Sequence, residues 1–76
     1  MLSACVLVRT TRGKFEEVVK LIRQLKGVKM VFPVLGRYDV VVDLEVSNLE
    51  ELSSTVLRMG RISGVVFTET LVGIQQ

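Results

Sequence analysis

Histidine is absent from this 76-residue chain, which removes the commonest general base, the usual nucleophile triads and most transition-metal ligand sets. Gly13-Lys14 follows a strand-like run and opens a helical one, as a phosphate loop would. The earlier glycine and the following Ser or Thr are missing, and Phe15 stands where a magnesium-binding hydroxyl belongs. The pair therefore reads as a glycine at a helix start followed by a solvated lysine. Glu16-Glu17 and Glu50-Glu51 fall at helix beginnings, where they complement the dipole without any reaction. Asp43 and Glu45, two apart on a strand, share a face and suit cations, a partner's basic residues, or simply a wet part of a cleft. Cys5 is the only cysteine, so neither an intramolecular disulfide nor a thiolate-rich metal site forms, and a strand thiol in a reducing cytoplasm is the plain reading. No metal and no cofactor are expected. One stretch gathers a guanidinium, a phenol and a carboxylate behind a glycine: Val34-Leu35-Gly36-Arg37-Tyr38-Asp39-Val40. Gly36 can take positive φ and Asp39 suits a tight turn, so this is a β-hairpin tip, a common place to present such groups to a ligand.

The elements that hold this tip follow from periodicity. Leu2 to Thr10 is rich in β-favouring residues and predicts a first strand, broken by Thr11-Arg12-Gly13. Phe15, Val18, Val19, Ile22 and Leu25 fall at helical spacing, with Glu16, Glu17, Lys20, Arg23 and Gln24 opposite and Gly27 placed to close the helix. Val28 to Leu35 predicts a second strand, and Pro33, which lacks a backbone donor, places it at a sheet edge. Val40, Val42, Leu44 and Val46 alternate with Val41, Asp43 and Glu45, so the third strand turns its apolar face toward the helices. Ser47-Asn48-Leu49-Glu50-Glu51 carries a capping-box signature, and Leu49, Leu52, Val56 and Met59 give a second amphipathic helix that stops near Gly60. Val65 to Val72 predicts the last strand, with Thr68 and Thr70 on one face.

Shifting the chain by 37 positions places Phe15 on Leu52, Val19 on Val56, Ile22 on Met59, Leu25 on Ile62, Gly27 on Gly64, Val28 on Val65 and Gly36 on Gly73. Two strand-helix-strand halves in tandem predict an α+β fold of ferredoxin-like βαββαβ type, a four-stranded antiparallel sheet of order 4-1-3-2 with two helices on one face. A single domain over residues 1–76 is expected. The helices cover one sheet face and leave Cys5, Leu7 and Val41 on the other. With 49% of residues apolar in so short a chain, that face predicts sheet-to-sheet pairing in a homodimer.

Net charge is +2, and the ten basic residues are scattered, which argues against direct nucleic-acid binding. Phe32, Tyr38 and Phe67 are the only strand or turn aromatics, without the Gly-spaced basic-aromatic motif of sheet-stacking RNA binders. No apolar run approaches the length of a membrane helix, so no membrane partner is expected.

Gly27-Val28 with Val31, then Val34-Leu35-Gly36-Arg37-Tyr38-Asp39 and its alternating strand, then Leu49-Glu50-Glu51-Leu52, then Gly64-Val65 and Thr68-Glu69-Thr70 together resemble the effector domain of Lrp/AsnC transcription regulators. The resemblance spans nearly the whole chain. The Gly-x-Tyr-Asp turn followed by Gly-Val-x-x-Thr-x-Thr is its most specific part. Such regulators usually carry a helix-turn-helix ahead of this module, and the chain reads as a stand-alone version. The resemblance implies a homodimer built sheet to sheet and higher homo-oligomers such as rings of dimers. It also implies amino-acid effectors held between dimers, and association with full-length regulators of the family. Carried over by position, Gly36, Arg37, Tyr38 and Asp39 form the effector-side turn, with Thr68 and Thr70 as neighbouring contributors.

A free amino acid asks for amides or hydroxyls at its carboxylate and an acid or carbonyls at its ammonium, which suits Gly36 for close approach and Asp39 as the acid. Arg37 departs from the acidic or small residue often found at its place in the family, which bears on amino-acid preference. The plain alternative is that Gly36 and Asp39 shape the hairpin while Tyr38 packs at an interface. Three functions therefore stand side by side: a non-enzymatic effector-binding module, a ligand-free assembly adaptor, and a small dimeric ferredoxin-like enzyme. The lack of histidine and of any convergent acid pair counts against the last.

Overall fold

Apolar side chains on alternate positions of β1 (Leu2–Thr10) start the architecture: Ala4, Val6 and Val8 are buried while their neighbours are not. The computed structural model describes residues 1–74, with α1 (Phe15–Arg23), β2 (Val28–Pro33), β3 (Val40–Val46), α2 (Leu49–Gly60) and β4 (Val65–Val72) following in order. The strands form one antiparallel sheet of order β2-β3-β1-β4, which is the predicted 4-1-3-2 arrangement read from the other edge. Pro33 lies on edge strand β2, where a missing donor costs no ladder hydrogen bond.

The helices pack on one sheet face because their apolar stripes match that of the strands. Val18, Val19 and Ile22 of α1 and Leu52 and Met59 of α2 are buried in one cluster with Val6, Val8 and the whole Val40-Val42-Leu44-Val46 row. α2 begins at a true cap: Asn48 Oδ1 accepts from the Glu51 amide at 2.8 Å, and the Glu51 carboxylate accepts from the Ser47 amide at 2.8 Å. α1 has acids in its first turn and bases in its last but no side-chain cap.

Two boundaries differ from expectation. Gly27 does not close α1, which ends at Arg23 with Gln24 as its cap. It forms the turn into β2 instead, at φ 92°, because its backbone runs against β3: Glu45 donates its amide to the Gly27 carbonyl at 2.9 Å, and a Cβ here would lie 3.1 Å from the Glu45 carbonyl oxygen. Gly64, its counterpart in the second half, has φ 101° and stands as close to Lys14 and Val18 of α1. β2 stops at Pro33 rather than Leu35, so residues 34–39 form a loop, closed where the Val34 amide donates to the Asp39 carbonyl at 2.9 Å.

Candidate functional site

The 34–39 loop is tied down at its C-terminal end and free at its tip. The Asp39 amide donates to the Val8 carbonyl at 2.9 Å. Asp39 Oδ2 accepts from the Thr10 amide at 2.8 Å and from the Thr10 hydroxyl at 3.4 Å. The pairing of β1 with β4 is irregular between Arg9 and Thr10, so this carboxylate caps a stretch of β1 where the ladder is broken. Tyr38 reaches sideways to β4, where its hydroxyl donates to the Glu69 carboxylate and its ring meets Phe67 edge-on, centroids 5.9 Å apart at 72°. The hydrogen bond and the negative charge of Glu69 hold the Tyr38 phenol above its ordinary pKa, while Arg37 and Arg9 pull weakly the other way. Gly36 sits at φ 145°, with nothing within 4 Å of where a Cβ would be, and Leu35 is fully exposed. Phe15, Pro33, Val34, Leu35 and Asp39 line a cavity of about 410 Å³ beside this tip.

The residues named from sequence fall in two places. Residues opposite each other in an antiparallel pair share a sheet face. Thr68 and Thr70 pair with Val8 and Val6, which are buried under the helices, so both threonines point to the helix side. Thr70 lines a groove of about 400 Å³ between α2 and β4, with Leu49, Ser53 and Leu57. Tyr38 lies on the opposite face, since its partners Phe67 and Glu69 pair with Arg9 and Leu7. Within one protomer the turn is thus brought to Phe67 and Glu69, and Thr68 and Thr70 stand across the sheet from it. Sequence reasoning did not single out Glu69. The signal that identifies it is alternation along β4 counted from its partner strand.

Cys5, Leu7 and Val41 lie on the face without helices and are partly exposed. Leu7 is flanked by Val41 and Glu69, and Cys5 by Asp43 and Leu71. Met30, Phe32, Phe67 and Leu71, all 40% exposed or more, belong to the same face, so it presents an apolar field broken by Arg9, Asp43, Glu45 and Glu69. Glu45 pairs with Lys29 at 3.3 Å on its margin. Among the described residues no three His, Cys, Asp or Glu side chains group as a metal site, and no helix is long and apolar enough to cross a membrane.

A family model described as the Lrp/AsnC ligand binding domain matches residues 3–76. The chain is 33% identical over 69 residues to the HTH-type transcriptional regulator FL11 of Pyrococcus abyssi, covering 91% of the chain and 46% of that protein. It thus spans about half the length of the curated relatives it matches. Among solved structures, TTHA0845 from Thermus thermophilus superimposes with a TM-score of 0.95 at 31% identity, covering 100% of this chain and 96% of that one. The hypothetical protein PHS023 from Pyrococcus horikoshii does so with a TM-score of 0.91 at 27% identity, covering 100% and 93%.

Proposed function

The chain belongs to the family of Lrp/AsnC ligand-binding domains, and from that premise we propose that it senses an amino acid or a related small effector for transcription regulation, without catalysis. Copies pair through the helix-free sheet face, and the effector lodges at a seam between subunits, near the Gly36–Asp39 turn. The family match over residues 3–76 carries this reading. The geometry supports it in two ways. Leu7, Val41, Phe32, Phe67 and Leu71 leave an apolar field that association would take out of water, and the turn reaches that field through Tyr38. A ligand held by two subunits favours the assembly that closes its site, so binding shifts mass as well as melting temperature. The homodimer is the basic unit, and full-length regulators of the same family are further partners.

Titration calorimetry against the common amino acids, with light scattering on the same samples, tests the proposal. At least one amino acid is expected to bind saturably and to change the mass of the assembly. No heat from any of them, together with a mass that stays constant, defeats it.

A further inference from the structure

The two halves of the repeat treat one equivalent position differently. The shift of 37 positions places Phe15 on Leu52, yet Leu52 is 5% exposed in the core and Phe15 is 40% exposed. Burying that ring would take more apolar area out of water than burying the leucine does. Phe15 instead borders the end of β2. With Pro33 it lines both the cavity of about 410 Å³ beside the turn and the adjoining groove of about 550 Å³ between α1 and β2. The walls of the cavity beside the turn are Phe15, Pro33, Val34 and Leu35, apolar throughout, with Asp39 as the exception. Lone exposed apolar side chains need no explanation, but four of them around one cavity of ligand size do.

Asp39 gives that cavity its one charge. Its Oδ2 accepts from the amide and the hydroxyl of Thr10, neutral donors that leave the negative charge uncompensated. The ion pairs among the described residues, Lys14–Glu17 and Lys29–Glu45, do not involve it. The corresponding groove of the second half, lined by Leu49, Leu52, Ser53, Val56, Leu57 and Thr70, is also largely apolar but holds no charged group to fix a ligand's orientation. An ammonium next to an apolar chain therefore suits the first cavity and not the second. We propose that the cavity between Phe15, Pro33 and Leu35 takes the side chain of an apolar amino acid whose ammonium is held by Asp39, with Phe15 as the residue that sets the preference. This rests on the reading that the chain binds an amino-acid effector near the turn, and it deepens that reading by naming the class. A glutamate-like side chain meets no lysine or arginine in this cavity, and a lysine-like one brings a second ammonium to a single acid. Either would bury a charge without a partner.

Titration calorimetry with leucine, phenylalanine, glutamate and lysine on the wild-type chain and on Phe15→Ala, Pro33→Ala and Asp39→Asn tests the assignment. Phe15 and Pro33 are exposed, and an asparagine oxygen still accepts from the Thr10 amide, so circular dichroism is expected to show folded variants. Leucine or phenylalanine should bind the wild type roughly tenfold or more tighter than glutamate and lysine. Phe15→Ala should erase most of that preference and Pro33→Ala should reduce it. Asp39→Asn should weaken binding of the favoured amino acid by roughly tenfold or more. Glutamate or lysine bound more tightly than leucine and phenylalanine overturns the pocket and leaves effector sensing intact. So does a preference unchanged in a folded Phe15→Ala chain or, should that chain fail to fold, in Pro33→Ala. Wild-type affinity in Asp39→Asn overturns the role given to the acid. No heat from any of the common amino acids defeats effector sensing and the pocket together.

Discussion

Tyr38 and Asp39 are adjacent in sequence yet hold different strands: Asp39 caps Thr10 of β1, and Tyr38 reaches Glu69 and Phe67 of β4. A carboxylate already committed to an amide and a hydroxyl serves the turn first and a ligand second. Tyr38 gives a direct test of the geometry. The neutral phenol donates to Glu69, and the charge of Glu69 opposes ionisation, so the folded pKa lies above the ordinary value of about 10. The stabilisation from this contact is therefore fully present below the unfolded pKa and is lost as pH rises through the raised folded one. Ultraviolet titration should give a phenolate midpoint above that of the denatured chain, and Glu69→Gln should lower it. A folded midpoint at or below the denatured one contradicts the contact. The residue types of the turn are legible in the sequence. Their partners are not, because Glu69 lies 31 positions from Tyr38 and its orientation depends on strand register.

Elements are more legible than contacts. The capping signature before α2 is realised through Asn48 and Glu51, because a cap involves only residues within one turn. Periodicity locates the buried faces of β3 and of both helices for the same local reason, save that Phe15 and Leu49, the first members of the two helical stripes, are exposed. Gly27 reads locally as a helix terminator and is not one, because the approach of β3, which demands a glycine there, is a tertiary event. Its replacement by Ala forces a Cβ toward the Glu45 carbonyl at an unfavourable φ and should cost about 1–3 kcal/mol. Gly60→Ala, in α2 with nothing within 4 Å, should be neutral or stabilising by up to about 1 kcal/mol. Denaturant unfolding of the two variants checks this, and equal effects would contradict the close approach.

The whole molecule is two half-units whose helices close one side of a sheet and leave the other bare. A core this small gains from association, since a short chain buries only a modest share of its surface by itself. Leu7 stands near the middle of the bare face, between Val41 and Glu69, and points away from the core. Leu7→Asp should leave far-ultraviolet dichroism unchanged while lowering the mass to that of a single chain at micromolar concentration. A variant that keeps the wild-type mass would show that the bare face is not the surface through which copies meet.

The linear order of residues sufficed for the βαββαβ succession, the edge placement of β2 and the apolar face of each helix, since these rest on spacing within a few residues and on the missing donor of Pro33. The tertiary structure alone decided which side of the sheet the polar groups of β4 reach. Thr68 and Thr70 face the helices and Glu69 faces Tyr38, because a one-residue slip between strands reverses every side chain, and the register is set by packing and by the irregularity at Arg9 and Thr10.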